Sequence, residues 1–194
     1  MGAPGVGKGT QADLLHQKLG ACHLSTGDVF RAAARQNECD LSPAMKAAAE
    51  YMRRGELVPD TTVWDMVRER SGCLRCGGGF ILDGFPRTLA QADSLKQLME
   101  CEGLPLDAVV SYALSVNAIV ERLSGRRTCE QCRSVFHVAD RPESIRVRLE
   151  AYDRSTAPLI EFYNKLGWLM PVEASGNPEE ICERTLAGLT SRSA

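Results

Sequence analysis

Gly2-Ala3-Pro4-Gly5-Val6-Gly7-Lys8 has the spacing G-x-x-x-x-G-K of a phosphate-binding loop, and its reading decides the fold. Glycines let the backbone turn tightly and bring several N–H groups to one point. Lys8 adds a mobile cation for the β- and γ-phosphates of a nucleotide. The stretch from Thr10 to Leu19 predicts a helix, so its positive end faces the same anion. Gly9 stands where such loops carry Ser or Thr, and Thr10 follows one position later. That offset argues against direct Mg²⁺ ligation by this hydroxyl. A plain glycine-rich turn would explain the glycines but not Lys8 in register with a helix behind it. A phosphate loop leaves the end of a buried strand, and none precedes Gly2. The expectation is a central sheet without its middle member, and a destabilised one.

Outward from the loop, strands and helices alternate. Ala21–Thr26 reads as a short strand with a polar end, and Gly27-Asp28 opens a helix on which Arg31 points back toward Thr26. Helices follow over Pro43–Arg54 and Thr61–Arg70, the second capped by Asp60. Gly79–Asp83 reads as the clearest buried strand. An acidic residue such as Asp83, ending an apolar strand beside a phosphate loop, suits the waters around Mg²⁺; a helix cap or turn residue is the plainer alternative. Helix Leu89–Glu102, strand Ala108–Leu114, helix Asn117–Leu123, helix Pro142–Tyr152, strand Leu169–Glu173, the turn Ser175–Pro178 and a terminal helix complete the chain. The pattern predicts an α/β fold, a parallel sheet with helices on both faces and its ligands at the carboxyl edge of the strands. Arg122, Arg126 and Arg127 near that edge suit a transferring phosphoryl group, or else a solvated helix end.

Bulk properties agree with a soluble globular protein. The 194 residues suggest one main domain with inserted flaps, and 44% hydrophobic content supports a sizeable core. A net charge of −2, without a basic block, argues against nucleic acid or an anionic membrane as partner. No apolar run reaches membrane-spanning length and the start lacks a signal-peptide pattern. The eight cysteines then belong to a reducing, cytoplasmic setting, as free or metal-bound thiols. Cys22, Cys39, Cys101 and Cys182 show no ligand spacing and read as small buried hydrophobes. Cys73-x-x-Cys76 reads as a pair in a glycine-rich turn, with a zinc site shared with Cys129 and Cys132 as the weaker alternative, and His137 as a surface or packing residue or else a ligand. No apolar heptad argues for assembly, which points to a monomer.

Several stretches together resemble the adenylate kinase family: Gly2–Gln11, Ser25-Thr-Gly-Asp28 with Arg31, Gly55-Glu-Leu-Val58, Asp83-Gly-Phe-Pro-Arg-Thr88 with Gln91, and Arg122…Gly125-Arg-Arg127. The resemblance implies a kinase of nucleotide biosynthesis that runs ATP + AMP ⇌ 2 ADP with Mg²⁺. It implies that Gly5, Val6, Gly7, Lys8, Gly9 and Thr10 hold the ATP phosphates. Arg122 and Arg126 would join them, and the turn at Gly176-Asn177-Pro178 would take the ATP adenine. Thr26, Arg31, Leu57, Val58, Gly84, Arg87, Gln91 and Arg148 would hold AMP. Lys8, Arg87, Arg122, Arg126 and Arg148 would act on the transferring phosphoryl, and Asp83 would hold Mg²⁺ through water. The implied division is a core of 1–25, 59–122 and 141–194, an AMP flap of 26–58 and a lid of 123–140. Cys129-x-x-Cys132 begins like the long, zinc-binding form of that lid, but the second ligand pair is absent and the lid is short. A segment missing between Val138 and Ala139 would account for that. Three alternatives stay open: a monophosphate kinase with another donor or acceptor base, a nucleotide-binding module without turnover, and a P-loop phosphotransferase acting on a small metabolite.

Overall fold

The computed structural model describes residues 1–25, 42–53, 59–69, 78–125 and 142–193. Helix α1 spans Lys8–Leu19, β1 Cys22–Ser25, α2 Pro43–Arg53, α3 Asp60–Glu69 and β2 Phe80–Asp83. Then follow α4 Leu89–Glu102, β3 Val109–Ala113, α5 Val116–Gly125, α6 Pro142–Ser155, α7 Pro158–Lys165, β4 Leu169–Glu173 and α8 Pro178–Ser193. The expected alternation of helices and parallel strands is borne out. Helix α3 starts one residue early: Pro59 O accepts from Val63 N–H at 3.1 Å, so Asp60 lies inside the helix and not at its cap.

The strands form two parallel pairs. β1 pairs with β2, Cys22 opposite Phe80 through Ser25 opposite Asp83. β3 pairs with β4, Val109 opposite Leu169 through Ala113 opposite Glu173. No described strand joins β2 to β3. Met1 alone lies along β3: Tyr112 N–H donates to Met1 O at 3.0 Å, and the Met1 amino group donates to Val110 O. Burial pushes that amino group down to about 5, with the nearby Lys8 charge adding to the effect and Asp83 opposing it. The expected gap in the sheet is therefore visible among the described residues. It also corrects the reading of Gly79–Asp83 as the clearest buried strand. All four residues of β2 are half-buried, because β2 has a strand on one edge only among the described residues.

Strand alternation sorts the core into layers. Val110 and Tyr112 of β3 join Met170 and Val172 of β4 beneath Ile181 and Leu189 of α8. The opposite face carries Val109 and Leu169, packed with Ala92 of α4 and Leu159 and Tyr163 of α7. A third cluster joins Val63 of α3, Phe85, and Leu95 and Met99 of α4 to Phe80 and Leu82 of β2. Helix α1 packs on β1 and β2 and also on α8, so it links the two strand pairs. Cys182 is buried as expected, Cys22 is half-buried, and Cys101 is exposed. The core stripe of α4 runs through Ala92, Leu95 and Met99, and a residue two places beyond Met99 falls on the far side of the helix. Buried Thr185 donates to Ile181 O at 2.8 Å, so the Tyr112 hydroxyl must donate in their 3.2 Å contact.

The phosphate loop is built into this core. Val6 is 1% exposed and packs with Tyr112 and Ile181. Gly5 has φ of 85°, and a Cβ there would sit 2.7 Å from Leu123 Cγ, itself in the buried cluster of α5. Gly5→Ala is therefore expected to cost about 2–4 kcal/mol, from left-handed backbone strain and overpacking together. Urea unfolding measures it, and a loss below about 0.5 kcal/mol would show that neither the strain nor the overpacking operates at Gly5.

Candidate active site

Helix α1 begins at Lys8 behind Gly7, whose φ is 102°. No side chain caps this start, and its first turn carries no acidic residue. An anion placed there meets the positive end of the helix without a competing carboxylate on the helix itself. Lys8 folds back over the loop, its Nζ donating to Gly2 O at 2.8 Å and Ala3 O at 3.0 Å. Both acceptors are loop carbonyls, so an arriving phosphate competes for a cation already aimed at the loop.

A cavity of about 190 Å³ opens beside the loop, lined by Gly5, Val6, Gly7, Thr10, Gln11, Arg122, Gly176, Pro178 and Ile181. The structure thus brings the loop residues Gly5, Val6, Gly7 and Thr10 together with Arg122 and the turn at Gly176, far along the chain, which the sequence reading assigned to one nucleotide. Arg122 spans the gap. Its Nη1 donates to Val6 O at 3.2 Å and its Nη2 to Ala174 O at 2.8 Å and Gly176 O at 3.4 Å. On the other side, Gln11 Nε2 donates to Pro178 O at 2.8 Å.

The turn before α8 is internally braced. Asn177 Oδ1 accepts from Glu180 N–H at 2.9 Å, and Glu180 Oε2 accepts from Asn177 N–H at 3.2 Å. This is a capping box, with Pro178 in the first helical position. Arg184 adds a bond to Glu173 O at 2.6 Å and one to Ser175 O. The Asn177 side chain, expected at the ATP adenine, is thus engaged in capping. The spacing Asn177-Pro-Glu-Glu180 carried that signal, and Arg184 follows Glu180 by one helical turn.

Asp83 ends β2 beside the loop: a Cβ built on Gly9 would lie 3.6 Å from Asp83 Oδ2. A carboxylate facing the start of α1 has the oxygen chemistry a hard cation needs, so the residues present fit Mg²⁺. Gly84 then turns with φ of 77° into Phe85, Pro86 and Arg87, and the Phe85–Pro86 bond is cis. Phe85 is buried and packs on Trp64 at 5.9 Å between ring centroids. Arg87 is exposed, its Nε donating to Gly84 O at 2.7 Å. Thr88 caps α4 by accepting from Gln91 N–H at 3.2 Å, while Gln91 Oε1 accepts from Arg87 N–H at 2.7 Å. Gln91, expected to read the AMP base, is buried and holds the backbone of Arg87. The spacing Thr88-x-x-Gln91 is a capping signal that the sequence reading passed over.

Thr26, Arg31, Leu57, Val58, Arg126, Cys129 and Cys132 lie outside the described residues, as do Cys39, Cys73, Cys76, His137 and the Val138–Ala139 junction. Arg148 is placed on α6, which is described there by its backbone. Among the described residues no group of three or more His, Cys, Asp or Glu could hold a metal ion, and no helix is long and apolar enough to cross a membrane.

A family model described as adenylate kinase matches residues 1–168. The chain belongs to the adenylate kinase family. It is 39% identical to the adenylate kinase of Carboxydothermus hydrogenoformans, over 93% of each chain. It is 41% identical to that of Thermodesulfovibrio yellowstonii, again over 93% of each. The adenylate kinase of Caldicellulosiruptor bescii is 41% identical, over 95% of this chain and 93% of its own. The family resemblance and the α/β fold read from the sequence are both borne out.

Proposed function

We propose that this chain is an ATP:AMP phosphotransferase that moves the terminal phosphoryl group of ATP reversibly to AMP, giving two ADP. The observation that carries this reading is the single cavity joining the phosphate loop, Arg122 and the turn at Gly176–Pro178. Phosphoryl transfer asks a protein mainly for positioning and charge stabilisation. The loop Gly5–Thr10 takes the triphosphate and the turn takes the adenine. Lys8 follows the phosphoryl, and Arg122, Arg126 and Arg148 converge on it. Arg87 sits at the end of the neighbouring strand, where AMP would lie with Thr26, Arg31, Leu57, Val58, Gly84 and Gln91. Mg²⁺, with its waters held by Asp83, neutralises charge on the phosphates.

Residues 26–58 form the AMP flap and 123–140 a short lid, which together keep water from the phosphoryl group. Cys129 with Cys132 would supply two of the four ligands of a structural zinc in that lid. The protein works as a cytoplasmic monomer, without nucleic acid or membrane partners.

Coupled ADP formation from ATP, AMP and Mg²⁺ tests this reading, with UMP, CMP and GMP as alternative acceptors and GTP as alternative donor. AMP-dependent turnover with weak use of the others is expected. Tight ATP binding without ADP formation would overturn it in favour of a nucleotide-binding module. That second reading draws on the two strand pairs that no described strand joins.

A further inference from the structure

We infer that Gln11 is a positioning residue that holds the base-binding turn in register with the phosphate loop; this rests on the reading of the cavity as the ATP site. Gln11 lies in the first turns of α1, directly after the loop, and is only 2% exposed. Pro178 O can only accept, so the carboxamide must turn its nitrogen toward it, and the bond measures 2.8 Å. This is a contact between residues 167 positions apart, joining the helix that receives phosphate to the helix that follows the base turn. A long polar side chain is rarely buried without such a purpose, because burying an amide costs free energy that only a hydrogen bond recovers. The other end of the same carboxamide makes the point sharper. Gln11 Oε1 is buried and has no hydrogen-bond partner. An apolar side chain of that size would avoid leaving the acceptor unmet, so the donor function toward Pro178 is what the position requires.

Arg122 makes the second tie between loop and turn, through Val6 O, Ala174 O and Gly176 O. The two ties differ in kind. Arg122 belongs to the group assigned to the nucleotide phosphates, and to reach a phosphate it must give up carbonyl partners. Gln11 bonds only from within the core and has no charge for the phosphate to attract. When ATP is bound, Gln11 is therefore the tie that keeps base turn and phosphate loop at the spacing of one nucleotide. Such a residue affects a ligand that spans both subsites and not one that fills the phosphate subsite alone.

Isothermal titration of ATP and of inorganic tripolyphosphate onto Gln11→Leu tests this, with the wild-type chain titrated first. Gln11→Met serves as the second variant: it keeps the length, removes the donor without adding charge beside the phosphates, and gives a reading should the leucine variant fail to fold. Loss of one such bond with its acceptor left buried predicts ATP affinity lower by about five- to tenfold. Tripolyphosphate affinity should change by less than about twofold, and KM for ATP should rise while KM for AMP does not. Equal losses for ATP and tripolyphosphate would overturn the inference, since Gln11 would then act on the loop itself. ATP affinity equal to wild type in a folded variant would overturn it as well. Failure of the wild-type chain to bind ATP would reject the ATP-site reading, and that titration separates the two.

Discussion

Lys8→Ala lowers turnover at saturating ATP and AMP by about 10²- to 10³-fold, the size of effect seen when one group aimed at developing charge is removed. The ammonium is held by Gly2 O and Ala3 O, so it is already aimed at the loop proposed to take the phosphates. Its charge is used most when the phosphoryl group is between donor and acceptor, and removal should fall on kcat more than on ATP binding. The two carbonyl bonds are also lost, which adds about 1–2 kcal/mol of destabilisation. Turnover in the coupled assay and unfolding in urea separate these effects. A near-normal rate in a folded variant would reject the assignment of the loop.

Arg87→Ala raises KM for AMP by about ten- to a hundredfold and that for ATP by less than about threefold. The first figure follows from about 1.5–3 kcal/mol for a charge-assisted hydrogen bond. Position explains the asymmetry. Arg87 stands after β2, held by Gly84 O and by Gln91, away from the cavity that joins the loop to the turn before α8. Arg87→Lys should recover only part of the loss, because an ammonium cannot reproduce the guanidinium fork on a phosphate. Steady-state titration of each nucleotide checks this. Equal changes for ATP and AMP would reject the acceptor-side role.

The same residues show what could be read early and what could not. The bounds of α4, Leu89–Glu102, and of β4, Leu169–Glu173, are the same in the sequence reading and in the fold. Such bounds rest on local signals, and local signals survive into the fold. The loop was legible because its function demands fixed residue types at fixed spacing. The half-burial of β2 was not, since it depends on which strands lie alongside. Gln91 and Asn177 were assigned to bases by likeness, and their side chains also serve the backbone as caps. Both sit in spacings that encode capping, so that information was present but local.

The sequence by itself determined the α/β class, the phosphate loop, the family and the set of polar residues at the strand ends. Each of these is written in residue type and spacing along one stretch of chain. Only the tertiary structure decided that Gln11 and Arg122 both bind the turn before α8, that Met1 lies along β3, and that Asp83 faces Gly9. Those contacts join residues far apart in sequence, and no local pattern specifies them. They arise because α1 packs on β1 and β2 and on α8 at once, and that packing is a property of the assembled core.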